Sequence, residues 1–451
     1  MTETHFTSDI YGLLIDTDTL CVLLLHDDSG QWTLPQIHLE TRIYLHQVGI
    51  VSESMSALLG ADITVLRNVD AVYSANWQHR ALTYRLENHT SPWTPPANAH
   101  WVAQDILADL PLAQPDHRAI IAENLMEVAR GQQPILRPPW AQPGWYTKAA
   151  GWMCQTLVEQ GYTLTSPITQ FKSWGISCLL RAETDRGTIY FKVATALPLF
   201  GNEPALQAAL AARYPDEVPP PLAVEHESRW MLMRDFGMVL SRAPSFDKWS
   251  IVLDHYARLQ VQSASTIDEL LAVGCLDRRL DVLRSQIDPL LSDDEALAPL
   301  SPDEITRLRA LAPRLKAMCD ELAQFSIPYA LVHGDFHSGN ITGETLLFFD
   351  WTDACIAHPF LDLCTVMENL ERDNIEGRER LLETYFRAWT TYESLERIQA
   401  AWRLAEPLGS LHQAVSYRHI LAILEPTSKR EMVWGVPEWL RRMLRTLPDP
   451  V

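Results

Sequence analysis

Short apolar runs separated by turn-forming residues dominate the first 130 positions of the chain. Runs of this length, bounded by Gly, Asp, Asn and Ser, are typical of strands. The clearest of them are "YGLLID", "LCVLLLHD", "ITVLRNVDAVYS", "HRALTYRLEN" and "AHWVAQDI". Apolar residues recur with helical spacing at about 42–59 and 115–130. The pattern predicts an α+β or α/β module over residues 1–131.

A proline-rich stretch, 132–145, then separates this module from a second one. Its sequence, "QQPILRPPWAQPGW", holds four prolines, which neither a helix nor a central strand accommodates. Residues 146–240 open with a helical pattern and contain a second helix at 202–214. The remaining runs are strand candidates, "PITQFKSW", "SCLLRAET", "TIYFKVA", "PLAVEHE" and "RWMLMRD". We therefore expect a linker followed by a small β-rich lobe.

Helical spacing prevails from residue 241 to the end of the chain. Its longest stretches are "FDKWSIVLDHYARLQVQSA", "IDELLAVGCLDRRLDVLRSQI" and "SPDEITRLRALAPRLKAMCDELAQF". Among them, "LLFF" at 346–349 predicts a short buried strand. The expected fold class is α+β, with a mainly helical lobe over 241–451.

Charge and cysteine content exclude some classes of binding partner and some kinds of site. The chain has 37 basic and 57 acidic side chains in 451 residues, a net charge of -20, which argues against a nucleic-acid surface. A small cationic substrate is compatible with this charge, as is a merely solubilising acidic surface. The seven dispersed cysteines indicate neither a disulfide framework nor a zinc site. With no signal peptide and no membrane-spanning run, we expect a cytoplasmic protein.

The strongest chemical signal is "HGDFHSGN" at 333–340, followed by "FDW" at 349–351. Two glycines favour a loop that turns Asp335 and Asn340 into one cleft. An amide oxygen and a carboxylate that share a hard cation, with a second carboxylate to receive a hydroxyl proton, suit phosphoryl transfer. The offsets of His333, Asp335, Asn340 and Asp350 are those of protein kinases.

This motif resembles that of the aminoglycoside phosphotransferase and choline kinase-like family, small-molecule kinases with a bilobal, protein-kinase-like fold. The resemblance implies that Asp335 is the catalytic base and that Asn340 and Asp350 bind Mg²⁺ beside ATP, with GTP as the other nucleotide. It assigns structural support of the site to three further residues, His333, His337 and Asp362. Asp353 is open between a metal ligand and a turn cap.

The nucleotide contacts are expected in the β-rich lobe. Lys192 lies in a predicted strand, where a charge needs a partner, and Glu203 is the candidate partner. The alternatives are an edge-strand lysine in water and a helix-capping glutamate. The phosphate-covering turn would run through Ser173 and Gly175, although it holds a single glycine. By the resemblance, the backbone near three residues would read the adenine, Met233, Arg234 and Phe236.

Residues 10–130 resemble a Nudix domain through their strand pattern, "WTLP" at 32–35, and a helix that ends at Gly60. The helix positions that would carry the metal-binding glutamates are Ser54, Ala57 and Leu58, none of which is a carboxylate. The module is therefore a degenerate Nudix-like domain without hydrolase chemistry, or simply an accessory α+β domain.

The function expected is ATP- and Mg²⁺-dependent phosphorylation of a hydroxyl on a small molecule, such as an amino sugar, an amino alcohol or a sugar-like metabolite. Acids at 368–373, "ENLERD", would meet a cationic acceptor or form a solvated helix end. The alternative is a nucleotide-binding pseudokinase with a regulatory role. A third reading, an active Nudix hydrolase with an accessory kinase-like domain, fits the helix sequence worst. No nucleic acid, membrane or oligomeric state is indicated.

Overall fold

The computed structural model of the chain describes residues 5–26, 30–196, 200–430 and 432–447. Two compact units make up the chain, Met1–Val193 with Leu424–Glu431 and Ala194–Ile423 with Met432–Val451. These boundaries differ from the predicted division into 1–131, 132–145, 146–240 and 241–451, which stays a prediction. Within the described ranges, no helix has both the length and the apolar character needed to cross a membrane.

The first unit opens with a mixed sheet between helices. Its strands are β1 (Thr7–Asp16), β2 (Cys21–His26), β3 (Trp32–Thr33), β4 (Gln36–Leu39), β5 (Ile63–Tyr73), β6 (His79–Asn88) and β7 (Ala99–Ala103). Its helices are α1 (Val48–Leu59), α2 (Gln104–Leu107) and α3 (His117–Arg130). Strand β1 runs parallel to β6 and antiparallel to β2 and β4, and β5 lies at the edge beyond β6.

Strand β1 is apolar along its length because both of its faces are covered. Ile10 and Leu14 point to one face, where they share a buried cluster with Met55 of α1. Leu13 points to the other face and packs in a cluster with Ile121 of α3. A strand buried on both sides reads as a continuous apolar run rather than an alternating one.

The predicted helix at 42–59 is six residues too long at its start. The structure begins α1 at Val48, and Gly60 ends it in the left-handed conformation, with φ of 62°. Ile43 and Leu45 are buried, but they reach the core from an irregular segment in which the Tyr44 amide donates to the Gln47 side chain. Ile43 and Leu45 are thus buried without being helical, and this explains why the apolar spacing suggested that α1 begins before Val48.

The rest of the first unit follows the predicted order. It comprises α4 (Trp145–Glu159), β8 (Thr169–Ser173), β9 (Ser177–Thr184) and β10 (Gly187–Ala194). The short helix α14 (Pro426–Lys429), from near the end of the chain, also belongs to this unit. Strands β8 and β9 are antiparallel, with a register shift between Gln170 and Lys172. Two-residue turn geometry at Asp185–Arg186 joins β9 to β10, with Gly187 at φ of 101°.

The second unit is mainly helical. Its helices are α5 (Glu203–Arg213), α6 (Phe246–Ser263), α7 (Ile267–Ala272), α8 (Leu280–Leu291), α9 (Asp294–Leu297), α10 (Pro302–Leu322), α11 (Leu363–Arg372), α12 (Arg378–Phe386), α13 (Leu395–Ile423) and α15 (Gly435–Thr446). Its strands are β11 (Ala223–Glu225), β12 (Trp230–Arg234), β13 (Leu276–Asp277), β14 (Ala330–Val332) and β15 (Cys355–Ala357). One continuous apolar core joins these helices. The predicted α+β class is confirmed.

Two predicted elements of this unit are wrong. The helical pattern at 267–287 is interrupted at Gly274, whose φ of 99° is left-handed, and β13 then pairs with β15 before α8 begins. The run 346–349 is not a strand; Phe348 forms only an isolated bridge to Ile341. Leu346 and Asp350, both with positive φ, bracket the run and leave too few extended residues for a ladder.

Candidate active site

Strand β14 leads directly into the loop that carries the candidate base. Gly334 turns the chain with φ of 84°, and a Cβ at this position would lie 2.3 Å from the carbonyl oxygen of Asp353. Only glycine therefore fits both the backbone conformation and the space. After Asp335 the chain forms a single 3₁₀ turn, Ser338–Asn340, and the His337 side chain accepts from the Gly339 amide of this turn at 2.9 Å. The predicted loop thus ends in a short helical turn.

Asp335 and Asn340 meet across this loop. The Asn340 side-chain nitrogen donates to the Asp335 carbonyl oxygen at 3.0 Å and lies 3.4 Å from its carboxylate. His337 Nε2 lies 3.3 Å from the same carboxylate. Burial raises the pKa of Asp335, but the charge of His337 beside it outweighs that effect and the net pKa is lowered. The carboxylate is thus held ionised, as a proton acceptor must be.

His333 connects the loop to the segment that ends at Asp350. Its Nε2 donates to the carbonyl oxygen of Phe349 at 2.9 Å, and its Nδ1 accepts from the Asp335 amide at 3.4 Å. One donating and one accepting nitrogen define a neutral imidazole. Burial agrees with this state, because it lowers the pKa of His333.

Asp350 and Asn340 come from neighbouring chain segments. The Phe349 amide donates to the Asn340 carbonyl oxygen at 3.1 Å, which fixes the two segments side by side. Asp350 takes the left-handed conformation, with φ of 64°, and its carboxylate accepts a bond of 2.7 Å from the Thr352 hydroxyl. A non-glycine residue in this region is strained, and such strain is concentrated at functional sites.

Asp362 holds the start of the loop from behind. Its buried carboxylate accepts from the amides of His333, at 2.7 Å, and Gly334, at 2.9 Å, and from the hydroxyl of Tyr256. Burial raises the pKa of Asp362 to about 6, against the opposing effect of these three hydrogen bonds. The contacts are those expected of a residue that supports the loop rather than one that meets substrate.

Several supporting residues were not identified from the sequence. Gln260 links the Tyr256 hydroxyl to the Leu331 carbonyl, Gln413 donates to the Gly334 carbonyl at 2.5 Å, and Asn369 accepts from Ser338. Each is a polar residue on an otherwise buried helix face. A polar residue at an otherwise apolar helix position was the sequence signal that could have identified them, since buried polar groups are nearly always hydrogen-bonded.

The acids of the site influence Tyr417 of α13 electrostatically. Burial, followed by the charges of Asp335, Asp353 and Glu368, raises the pKa of Tyr417 well above its ordinary value. Its ring packs against Trp434, with 5.1 Å between ring centroids. The aromatic pair of Tyr417 and Trp434 is thus under the influence of carboxylates of the site.

The acids predicted to meet a cation have unequal surroundings. Glu371 pairs with Arg442 through two contacts of 2.7 and 2.9 Å. Its carboxylate is therefore already neutralised by a cation of the protein. Glu368 lies 3.6 Å from Arg372, and Asp373 lies 3.5 Å from the Ser338 hydroxyl. Within the described residues, no group of three or more His, Cys, Asp or Glu side chains is arranged to hold a metal ion.

The remaining predicted residues are divided between the units. In the first unit, Lys192 is buried on β10, and Ser173 and Gly175 lie at the turn between β8 and β9. In the second unit, Glu203 is the buried first residue of α5. The pairing of Lys192 with Glu203 stays a prediction.

The predicted adenine-reading segment covers the end of strand β12 and the residues just after it. Met233 is buried, Arg234 is exposed, and the ring of Phe236 lies 5.4 Å from that of Phe349. Phe236 therefore packs against the residue that precedes Asp350. The role of the three residues in nucleotide binding stays a prediction.

Known proteins resemble part of the chain. Residues 203–402 match the model of the phosphotransferase enzyme family. Among solved structures, a choline/ethanolamine kinase family protein from Mesorhizobium loti is 16% identical and covers 67% of this chain and 98% of its own, with a TM-score of 0.44. A spectinomycin phosphotransferase in complex with ADP and spectinomycin is 13% identical and covers 65% and 98%, with a TM-score of 0.43.

A third solved structure resembles part of the chain more weakly. An ADP-ribose pyrophosphatase from Streptococcus suis is 15% identical and covers 26% of this chain and 90% of its own, with a TM-score of 0.21. The TM-scores of all three structures are too low to establish a shared fold by themselves. A comparison with curated proteins gives no match.

Proposed function

Residues 203–402 belong to the phosphotransferase enzyme family, as the resemblance at 333–351 predicted, and from this premise we propose that the chain phosphorylates a hydroxyl group of a small molecule. ATP, or alternatively GTP, supplies the phosphoryl group. The observation that carries the proposal is the convergence of Asp335, Asn340 and Asp350, joined by the bonds of Asn340 to Asp335 and of Phe349 to Asn340.

Asp335 is the proposed catalytic base. The acceptor oxygen forms a bond to the γ-phosphorus, the bond from that phosphorus to the bridging oxygen breaks, and the nucleoside diphosphate leaves. The hydroxyl proton passes to the Asp335 carboxylate. Because phosphoryl transfer demands positioning more than covalent chemistry, the fixed geometry of the loop is the main contribution of the protein.

The donor set at the loop fits a magnesium ion. Mg²⁺ in phosphotransferases takes one or two protein ligands and completes its shell with phosphate oxygens and water. The Asn340 side chain uses its nitrogen toward Asp335, so its oxygen is the atom for a cation, and Asp350 adds a carboxylate. When bound, the ion would neutralise charge on the phosphates. Lys192, partnered by Glu203, is proposed to bind the same phosphates.

The acceptor class we propose is a cationic small molecule, such as an amino sugar or amino alcohol. Asp335, Asp353 and Glu368 all act on the pKa of Tyr417, whose ring packs against Trp434. An ammonium group is attracted both to carboxylates and to aromatic faces. Of the acids in 368–373, Glu368 is the favoured contact, since its 3.6 Å approach to Arg372 is looser than the 2.7 Å pair of Glu371 with Arg442.

The test is transfer of phosphate from Mg-ATP to members of a panel of amino sugars, amino alcohols and neutral sugars. Asp335→Ala should lower kcat by about 10²–10⁴, the contribution of a positioned base. Asp320→Ala is the matched control, because Asp320 pairs with Arg284 on the surface of α10. Equal kcat in Asp335→Ala and Asp320→Ala would contradict the proposal.

A nucleotide-binding pseudokinase is the second candidate, favoured by one observation. The phosphate-covering turn, Ser173–Ser177, holds a single glycine, Gly175. Nucleotide binding without transfer to any acceptor would favour this candidate. Transfer that depends on Asp335 would exclude it.

A further inference from the structure

Helix α1 of the first unit packs directly onto strand β8. Gly49 of the helix lies so near the strand that a Cβ there would come within 2.7 Å of the Gln170 carbonyl oxygen. Phe171 is next, with its carbonyl oxygen 3.3 Å from the same position. Since backbone cannot give way as a flexible side chain can, this approach requires glycine. The helix is the one that resembles the metal-binding helix of Nudix domains, and here its N-terminal half contacts protein.

The Gln170 side chain joins three elements at this contact. Its oxygen accepts from the Ser52 hydroxyl of α1 at 2.7 Å and from the Val65 amide of β5 at 2.7 Å. Its nitrogen donates to the Val65 carbonyl at 2.8 Å. Strand β5 lies at the edge of its sheet. The Gln170 side chain therefore bonds to the outer edge of β5, where the backbone of a further strand would otherwise pair. Gln170 and Ser52 are both buried, where such bonds are strongest.

The same segment also holds the turn that follows β8. The Ser173 amide donates to the His46 carbonyl, and the ring of Trp174 lies 5.6 Å from that of His46. Trp140 donates from its indole nitrogen to the Trp174 carbonyl at 2.7 Å. On the other side, a Cβ on Gly175 would lie 2.2 Å from a methyl group of Leu424. The single glycine of this turn therefore lies in close packing with Leu424 within the first unit.

We infer that the N-terminal segment, through Ser52 of α1 and Gln170 of β8, is the element that positions the turn Ser173–Ser177 for nucleotide binding. The inference rests on the proposed function for the role of the turn. Backbone amides bind phosphate tightly only when their orientation is fixed before the ligand arrives. A turn without the usual glycine pattern gains that order here from contacts outside itself. Ser52 and Gln170 are positioning residues and touch no substrate.

The kinetic test compares Ser52→Ala with Ser56→Ala in the full chain. Ser56 lies one turn further along α1, and its hydroxyl bonds to Ile63 without contacting β8. Ser52→Ala should raise the KM for ATP about tenfold, the effect of one buried hydrogen bond, while kcat stays within about twofold. Ser52→Thr keeps the hydroxyl and should restore the KM. Ser56→Ala should leave the KM unchanged.

Amide hydrogen exchange without nucleotide separates this inference from the proposed function. Exchange in 169–177 should be faster in Ser52→Ala than in wild type and unchanged in Ser56→Ala. Faster exchange supports the positioning role even if no acceptor is phosphorylated. Unchanged exchange, or a KM shift of equal size in both variants, overturns it even if Asp335-dependent transfer is found. Gln170→Leu is the stronger variant, and Ser52→Ala keeps the test decisive if that protein does not fold.

Discussion

At the scale of single residues, the buried His333 connects the loop 333–340 to the segment that ends at Asp350. As a neutral imidazole it accepts from the amide of Asp335 and donates to the carbonyl of Phe349. It thereby connects Asp335, the proposed base, to the residue before Asp350, a proposed metal ligand. The ring also packs on Trp351, with centroids 4.6 Å apart.

Replacing His333 with Leu should therefore weaken both the fold and the reaction. The change leaves a buried amide and a buried carbonyl without their partner, which costs about 1–3 kcal/mol of unfolding free energy. The displaced loop should also lower kcat. Urea denaturation and transfer assays measure the two effects. His226→Leu, at an exposed histidine, is the comparison. A His333→Leu protein as stable and active as wild type would contradict this account.

The sequence identified only some of the residues that matter at this scale. Asp335, Asn340 and Asp350 lie within sixteen positions of one another, so their spacing was visible in a single motif. Gln413 contacts Gly334 from 79 positions away, and Tyr417 lies equally far along the chain. Contacts at such separations depend on how the helices pack, which periodicity does not report.

At the scale of elements, a hydroxyl group of helix α6 bonds to the start of the loop 333–340. Tyr256 donates to Asp362, and its oxygen accepts from the His333 amide at 2.9 Å. Tyr256→Phe should cost about 1–3 kcal/mol of stability, because a buried carboxylate loses a donor. It should lower kcat more than it raises the KM for ATP. Tyr392→Phe, at an exposed tyrosine, is the control.

A Tyr256→Phe protein with normal kcat and normal unfolding midpoint would show that the loop does not depend on α6. Removal of this bond should also raise the pKa of Asp362 further, since the Tyr256 hydroxyl is one of the groups that lower it. Titration of the Asp362 carboxyl by NMR measures that shift directly.

The elements that sequence patterns misread share one physical cause. The run 267–287 has helical spacing throughout, yet Gly274 breaks it so that β13 can pair beside β15. The run 346–349 is as apolar as a strand, yet its ends bend in the left-handed region. Apolar spacing reports burial, and tertiary contacts decide which conformation achieves it. The strands of the first unit were predicted more closely because turn-forming residues separate them.

At the scale of the whole molecule, the chain returns to its first unit near the end. Arg137 of the predicted linker bonds through its Nε to both carboxylate oxygens of Glu425, at 2.9 Å. Arg137 and Arg67 also share Glu127 of α3. Burial raises the pKa of Glu127, but these two arginines outweigh it and lower the pKa to about 2.

Because the pKa of Glu127 in the folded state lies below its ordinary value of 4.5, its ion pairs stabilise the protein above that pH. The stabilisation is lost as pH falls from 4.5 toward 2. Glu127→Gln should lower the Tm at pH 7 and make Tm less sensitive to acid between pH 5 and about 3. Thermal unfolding across this range measures both effects. Glu123→Gln, at an exposed position of α3, is the control; identical pH profiles for the two variants would contradict the assignment.

The N-terminal segment should have no hydrolase activity of its own. The three helix positions where a Nudix domain places metal-binding glutamates hold Ser54, Ala57 and Leu58, which cannot replace carboxylates at a divalent ion. The full chain with Mg²⁺ should therefore release no product from ADP-ribose or other nucleoside diphosphate derivatives. Formation of the nucleoside monophosphate is measured in wild type and in Asp335→Ala, so that any activity of the helical unit is removed. Metal-dependent hydrolysis that persists in Asp335→Ala would show that this segment is an enzyme in its own right, and would leave α1 with two roles.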